Sequence, residues 1–439
     1  MRKSQIRLEL DLALAHSPGF LDNCRRISAS HFTRIRKMPF NLLVTSILQR
    51  RGLSLTMELH HFCRAARTPL ISKSGYLKQR LKLDPLAFKL LNQNHCRNFY
   101  KDAGSVRCFK GHLILAGDGS GINIPTTRET LSNYGDSKTH GERGQAQLGL
   151  SCLYDVLNRM ILDSTINPGH YDQRQQMLYH LSDCKPILGG RPGILVLDRG
   201  YPGLPLLLGL QNLGQKYVVR LPSTCFRREQ QGMETDDEWL YIPVDRSRIK
   251  HYQGTEYEQA LLLASPFHLR MVRVHLTSGT AEHLLTNLDS SEWSHDDIAA
   301  IYRSRWGIET AFDELKNKLS LENFTGTRPV LIEQDIYASI YLCNCLEDII
   351  QEIEPDCLNR TKGRHKHPMK VNRNIAIGVF KEQLLHLILE DDPLRPKALY
   401  EEMCQVVERN LVPIRPDRNF PRTRSRFAIK YPNNSKRSY

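Results

Sequence analysis

No stretch of about twenty apolar residues occurs in the 439-residue chain, so a membrane-spanning helix is not expected. The opening Met1-Arg2-Lys3 leads into Leu8-Glu9-Leu10-Asp11-Leu12, whose acids interrupt the apolar core that a secretory leader needs. Cysteine pairing signals are also missing. The 11 cysteines are odd in number, run scattered from Cys24 to Cys404, and none forms a C-x2-C pair. Structural zinc and a disulfide framework are therefore not expected, and the chain reads as a reduced, cytoplasmic protein. Cys343-Asn344-Cys345 sits in an apolar helical pattern, where core packing is the expected role. No internal repeat is visible. Acids are in deficit: 47 Asp and Glu stand against 61 Lys and Arg, a formal net charge of +14, which points to a polyanionic partner. The length suffices for two or three domains around a sizeable core.

The most informative segment runs from Tyr302 to Lys316. At about 100° per residue on a continuous helix, Tyr302, Arg305, Glu309 and Lys316 fall within an arc of roughly 60°. One face then carries a phenol, a guanidinium, a carboxylate and an ammonium. Ile301, Ile308, Phe312, Leu315 and Leu319 form the adjoining apolar stripe that would seat the helix on a core. The plain alternative is an amphipathic helix whose charges face water. A carboxylate flanked by cations is equally an arrangement for cutting nucleic acid.

The spacing Y-x2-R-x3-E-x6-K resembles the YREK signature of insertion-sequence transposases of the DDE superfamily, in the group related to insertion sequence four. Two more segments resemble that family's landmarks, in the expected order: Leu113-Ile-Leu-Ala-Gly-Asp118-Gly-Ser120 and Ile194-Leu-Val-Leu-Asp198-Arg-Gly-Tyr201. The resemblance covers roughly residues 113–334. It implies a transposase of a bacterial insertion sequence that binds terminal inverted repeats and performs metal-dependent cleavage and strand transfer by cut-and-paste. It also implies double-stranded DNA as partner (transposon ends and target), a homodimer in the DNA-bound complex, and residence in the cytoplasm, on the nucleoid when bound to DNA. A catalytically silent DNA-binding derivative and another ribonuclease-H-like nuclease are the competing readings.

The expected fold is α/β: a ribonuclease-H-like core, a mixed sheet with flanking helices, carrying a β-rich insertion, with helical N- and C-terminal regions. Residues 1–105 read as a helical DNA-binding domain rich in Arg25, Arg26, Arg50, Arg51, Lys73, Lys78, Arg80 and Lys82. There a helix at 55–66, followed by one capped by Ser72, is a candidate helix-turn-helix. Residues 106–325 read as the catalytic domain. Strands are expected at 112–117, with Asp118 at the end, then 147–154, 160–166, 193–197 and 216–221, with helices at 172–181 and 202–213. The insertion, about 222–287, shows β-like runs at 239–244, 259–264 and 269–276. Ser294-His-Asp-Asp297 resembles an N-cap opening the signature helix. Residues 326–439 read as a helical C-terminal region, with helices at 330–350, 371–390 and 396–410. The basic tail after Val412 is expected to order only on a phosphate backbone.

The resemblance places catalysis and metal binding on Asp118, Asp198 and Glu309, with Mg2+ as cofactor and Mn2+ able to substitute. Three carboxylates suit two hard dications. Taken singly, each aspartate also fits a turn, since Asp118-Gly and Asp198-Arg-Gly are good turn sequences. Asp313, one helical turn past Glu309, is the alternative third ligand. Tyr302, Arg305 and Lys316 would hold DNA, Arg305 gripping a phosphate with two donors and Lys316 adding a point charge. Trp306 is expected to pack rather than stack on a base. One departure stands out. Where hairpin-forming relatives carry an aromatic residue late in the β insertion, this chain has Glu282, with His283 beside it.

Overall fold

The computed structural model describes residues 2–34, 37–137, 144–276, 279–389 and 395–415. The chain builds one nine-stranded mixed sheet. Its strands are β1 (Leu113–Asn123), β2 (Asp136–Ser137), β3 (Gln145–Asp155), β4 (Met160–Pro168), β5 (Gly193–Leu197), β6 (Lys216–Leu221), β7 (Asp237–Ile242), β8 (Phe267–His275) and β9 (Ala281–Thr286). β3 lies antiparallel between β1 and β4, whereas β5 runs parallel to β1 and β6 parallel to β5. The order β4-β3-β1-β5-β6, with only β3 reversed, is the ribonuclease-H-like arrangement that the sequence predicts.

The parallel centre is dry on both faces. From Ile194 to Leu197 every residue of β5 is buried, as the unbroken apolar run requires. Alternation sorts the side chains. Leu113, Leu115, Leu195, Leu197 and Val219 pack with the helices Gln173–Leu188 and Leu204–Asn212. Ile114, Val196 and Val218 face the opposite way, against Ile298, Ile301 and Tyr302 of the helix His295–Ser304.

The insertion extends this sheet. β9 pairs antiparallel with the outer edge of β6, followed by β8 and β7, so the parallel core has no open edge on that side. The strand expected at 259–264 is instead the helix Glu258–Leu262; Gln259-Ala-Leu-Leu-Leu is as good a helix former as a strand former, and only Leu261 is buried.

The helical ends share a core rather than standing apart. The helix Pro329–Thr361, longer than predicted, lies along Leu86–Lys101, and the side chains of Asn344 and Asn92 bond each other at 2.7 Å. Both also reach the Ile161 carbonyl on β4, docking the helical body to the sheet. Helices Leu55–Ala65 and Lys73–Arg80 stand where the helix-turn-helix was expected, with the Ser72 hydroxyl accepting from the Gly75 N–H. Helices Arg373–Leu389 and Arg395–Arg409 close the body. The basic tail beyond Arg415 lies outside the described residues. No described helix is long and apolar enough to cross a membrane. All 11 cysteines are free, Cys343 and Cys345 buried among them.

Candidate active site

The parallel ladder aligns Ile114 with Ile194 and Ala116 with Val196. Two residues further, the same parity brings Asp118 and Asp198 together where the parallel pairing of β1 and β5 ends, on the face covered by the signature segment. Ligands of open α/β sheets bind at such ends. Asp118, predicted to end its strand, lies within it. β1 runs on to Asn123 because β3 continues to pair it through Gly119↔Ser151 and Ile122↔Leu148 after β5 has stopped. On the opposite face the glycines leave room for side chains: a Cβ on Gly117 would stand 2.4 Å from the Met177 side chain, and one on Gly119 2.6 Å from the Tyr171 hydroxyl.

The signature segment is not one continuous helix, and this corrects the prediction. The helix His295–Ser304 tightens at Arg305, whose N–H bonds the Tyr302 carbonyl, and resumes as Trp306–Asp313. From Glu314 to Lys318 it widens into a π turn, closed by the Leu319 N–H on the Glu314 carbonyl at 2.9 Å. Such turns gather at functional sites because they re-aim side chains. Lys316 consequently reaches back to β1, donating to the Ser120 hydroxyl and the Gly121 carbonyl, both at 2.8 Å.

Arg305 and Glu309 remain one turn apart and pair at 2.7 Å. Arg305 is 8 % exposed, and its Nε is buried without a partner. Tyr302 is also 8 % exposed, packed into the core beneath, with the Arg305 guanidinium carbon 5.9 Å from its ring centre. Burial raises the Tyr302 pKa. Trp306, expected to pack, is 57 % exposed, because the break at Arg305 turns it away from the apolar stripe. Glu282 pairs with Arg220 at 2.9 Å, so the position that carries an aromatic in hairpin-forming relatives is here half of an ion pair.

The pocket holds more negative charge than its cations balance. Burial, with the carboxylates of Asp198 and Glu309 adding to it, pushes Asp118 up to about 6 against the opposing Gly119 N–H and Arg305. Burial lowers the pKa of Lys316, with Glu322 and Asp118 opposing. The Tyr201 hydroxyl is buried with no partner, and burial, Asp118 and Asp198 all raise its pKa. An orphaned donor beneath two aspartates and an all-oxygen donor set are what a site for hard dications and their waters would present. The three acids share one field but are not drawn into a closed cluster. Among the described residues, ligand atoms within 4.8 Å of one another occur at Asp11, His95 and Cys345, in the helical body. The Asp313 carboxylate accepts from the Asn317 side-chain amide at 2.6 Å. Sequence reasoning passed over the Ser120 anchor and the orphaned Tyr201 hydroxyl, although Tyr201 lies within the second landmark.

Residues 109–345 match the family model described as transposase DDE domain. Over 440 residues the chain is 20% identical to the transposase InsG for insertion sequence element IS4 of Escherichia coli (strain K12), covering 96% of this chain and 93% of that one. A shorter match, 40% identical over 68 residues, is to the transposase for insertion sequence element IS421 of Escherichia coli; it covers 16% of this chain and 18% of the relative. Among solved structures, the cryo-EM structure of the piggyBac transposase synaptic complex with hairpin DNA aligns with a TM-score of 0.46 at 11% identity, over 91% of this chain and 85% of that one.

Proposed function

Because the chain belongs to the transposase DDE-domain family, we propose that it is an insertion-sequence transposase whose DNA cleavage and strand transfer are carried out at Asp118, Asp198 and Glu309. The observation that carries this assignment is the placement of Asp118 and Asp198 on one face just past the end of the β1–β5 parallel pairing, with Glu309 contributing to the field at Asp118. DDE transposases use divalent metals; here the three carboxylates would hold Mg2+, with Mn2+ as substitute. Bound there, such ions sharpen the attacking oxygen and stabilise the leaving one.

The protein's own groups position the DNA. Arg305 pairs with the Glu309 carboxylate, and its remaining donors would grip a phosphate. Tyr302 supports Arg305 from below. Lys316, tethered to Ser120 two residues beyond Asp118, sets a positive charge beside the first acid. The DNA is the element's terminal inverted repeats and then the target, bound by a homodimer in the cytoplasm, on the nucleoid. With Glu282 committed to Arg220, a hairpin route would need its flipped base to stack elsewhere.

The test is Glu309→Gln, which keeps size and removes charge. Release of a 3′-hydroxyl at a terminal repeat in Mg2+ should fall by several orders of magnitude while folding and DNA binding persist. Cleavage at the wild-type rate would overturn the role of Glu309 and pass it to Asp313.

A further inference from the structure

A second feature of the π turn lies on its other flank. An open cleft of about 560 Å³ borders Arg51, Lys318, Ser320 and Asn374. It adjoins a recess of about 50 Å³ bordered by Arg50, Arg51, Lys318, Ser320 and Lys381. Three separate elements supply these cations: the turn after the helix Phe40–Leu48, the end of the π turn, and the helix Arg373–Leu389. The acids nearby are already committed. Asp335 holds Arg50 at 2.7 Å, Glu314 holds Lys318 at 2.8 Å and also takes Arg373, and Glu58 accepts the backbone N–H groups of Arg51 and Leu53. Asp313, at the cleft, accepts from Asn317. Among the described residues neither the Lys381 ammonium nor the Arg51 guanidinium has a hydrogen bond or ion pair, and the Arg50 Nε is buried without a partner. Burial and the two arginines bring Lys381 down to about 8, with Glu58 alone opposing. A half-buried ammonium beside like charges, with no acid of its own, destabilises the fold unless an anion completes the group.

We propose that Arg50, Arg51, Lys318 and Lys381 form a recess for one backbone phosphate of the DNA, which runs along the π turn and is held on both of its flanks. This rests on the transposase assignment. The recess has room for little more than a phosphate group, it opens into a cleft wide enough for a strand, and Ser320 and Asn374 add neutral donors at its mouth. Lys318 is two residues from Lys316, which contacts β1 beside Asp118. A phosphate seated in the recess therefore fixes the turn that carries Lys316, linking grip on the flanking DNA to the geometry of the cut.

The experiment compares full-length wild type, Lys381→Met and Arg51→Ala, the second change lying on an exposed side chain. Without DNA, Lys381→Met should melt at higher temperature, since a like-charge repulsion is gone. On duplex carrying a terminal repeat it should bind about tenfold more weakly. The slope of log affinity against log salt should be smaller by about one unit for each variant. Unchanged affinity and slope in both variants would overturn the proposal, and a lower melting temperature for Lys381→Met would show a structural lysine instead. In a parallel arm, millimolar inorganic phosphate that protects wild type but not Lys381→Met, with DNA slopes unaltered, would assign the recess to free phosphate and remove DNA from it. Mg2+-dependent cutting by wild type in the same preparations keeps the parent assignment separate: a wild type that cuts while Lys381→Met binds and cuts identically sinks only the recess.

Discussion

Two regions of this protein bury charge, and they do so in opposite ways. In the helical body the buried pair Arg80 and Asp335 is fully answered. Arg80, fully buried, donates to Gln334 at 2.9 Å, to the Leu331 carbonyl at 2.9 Å, to Asp335 at 2.7 Å and to Thr325. Asp335 also takes Arg50 and the Thr325 N–H. Burial works against that carboxylate, yet the two guanidinia hold it below its ordinary range. A similar knot joins His95 to Asp11 at 2.7 Å, with Asn94 and Tyr341 on the same carboxylate and Arg7 on Asp348. Within the closed cluster of Asp11, His95 and Cys345, the Asp11 carboxylate is thus already satisfied by protein donors. At the catalytic pocket the reverse holds: Asp118 is driven up, a tyrosine hydroxyl is orphaned, and Arg305 pairs with Glu309 while neither aspartate has an ion pair among the described residues. Complete pairing of buried charge fixes a scaffold, whereas incomplete pairing marks where something else must arrive.

The largest test of this contrast removes one partner from the satisfied network. Arg80→Ala leaves Asp335 and Gln334 buried with lost donors, and should cost about 3–5 kcal/mol of stability. Denaturant melts read this directly. Glu309→Gln, in the open pocket, should move the same melts by no more than about 1 kcal/mol. Equal melting of Arg80→Ala and wild type would mean that the helical network contributes nothing to the fold.

A smaller effect appears in the pH dependence of the metal-free protein. Asp118 has a folded pKa near 6, above its ordinary 3.8, so its ionisation opposes folding. Its burden is absent at low pH and grows as pH rises through that interval. Asp118→Asn should therefore stabilise the EDTA-treated protein at pH 7 by on the order of 2 kcal/mol and flatten stability between pH 4 and 6. His95 behaves with the other sign. Burial opposes its charge, but the groups around it, Asp11 among them, raise its pKa well above 6.5. Its contribution is complete below its ordinary pKa and is lost as pH climbs through the raised value. Melting temperatures against pH, with and without Asp118→Asn, separate the two; an Asn variant no more stable than wild type at pH 7 would remove the argument that the pocket is under-neutralised.

The difference between the regions also explains what could be read in advance. Strands such as Gly193–Leu197 were legible because an unbroken apolar run ended by a polar turn has few alternatives. The two aspartates and the glutamate stood out through the resemblance of their segments to the family's landmarks and signature. The π turn was not legible: a helix and its widened version share one apolar stripe, and what distinguishes the latter is tertiary, with Leu315 and Leu319 in the core and Lys316 on Ser120. The 259–264 segment misled because Leu and Ala tolerate either geometry. Arg80 looked like a candidate for a DNA-binding surface, yet it is fully buried; sequence counts a charge but not its partner, and Asp335 lies far along the chain.

The smallest predicted effect concerns Lys316, which belongs to both categories. Its ammonium is paired with neutral oxygens, the Ser120 hydroxyl and the Gly121 carbonyl, rather than with an acid, so its hydrogen bonds are satisfied while its charge is not. Losing those bonds should cost about 1 kcal/mol of stability, far less than at Arg80. Losing the charge should lower the salt slope of DNA binding by about one unit, with little change in sequence preference, as expected of a phosphate contact. Lys316→Gln can keep a bond to Ser120 while dropping the charge, so it should regain the stability of wild type but keep the reduced slope. If Lys316→Gln instead restored both, the side chain would be a strap that holds the π turn on β1, and the positive charge beside Asp118 would have no part in gripping DNA.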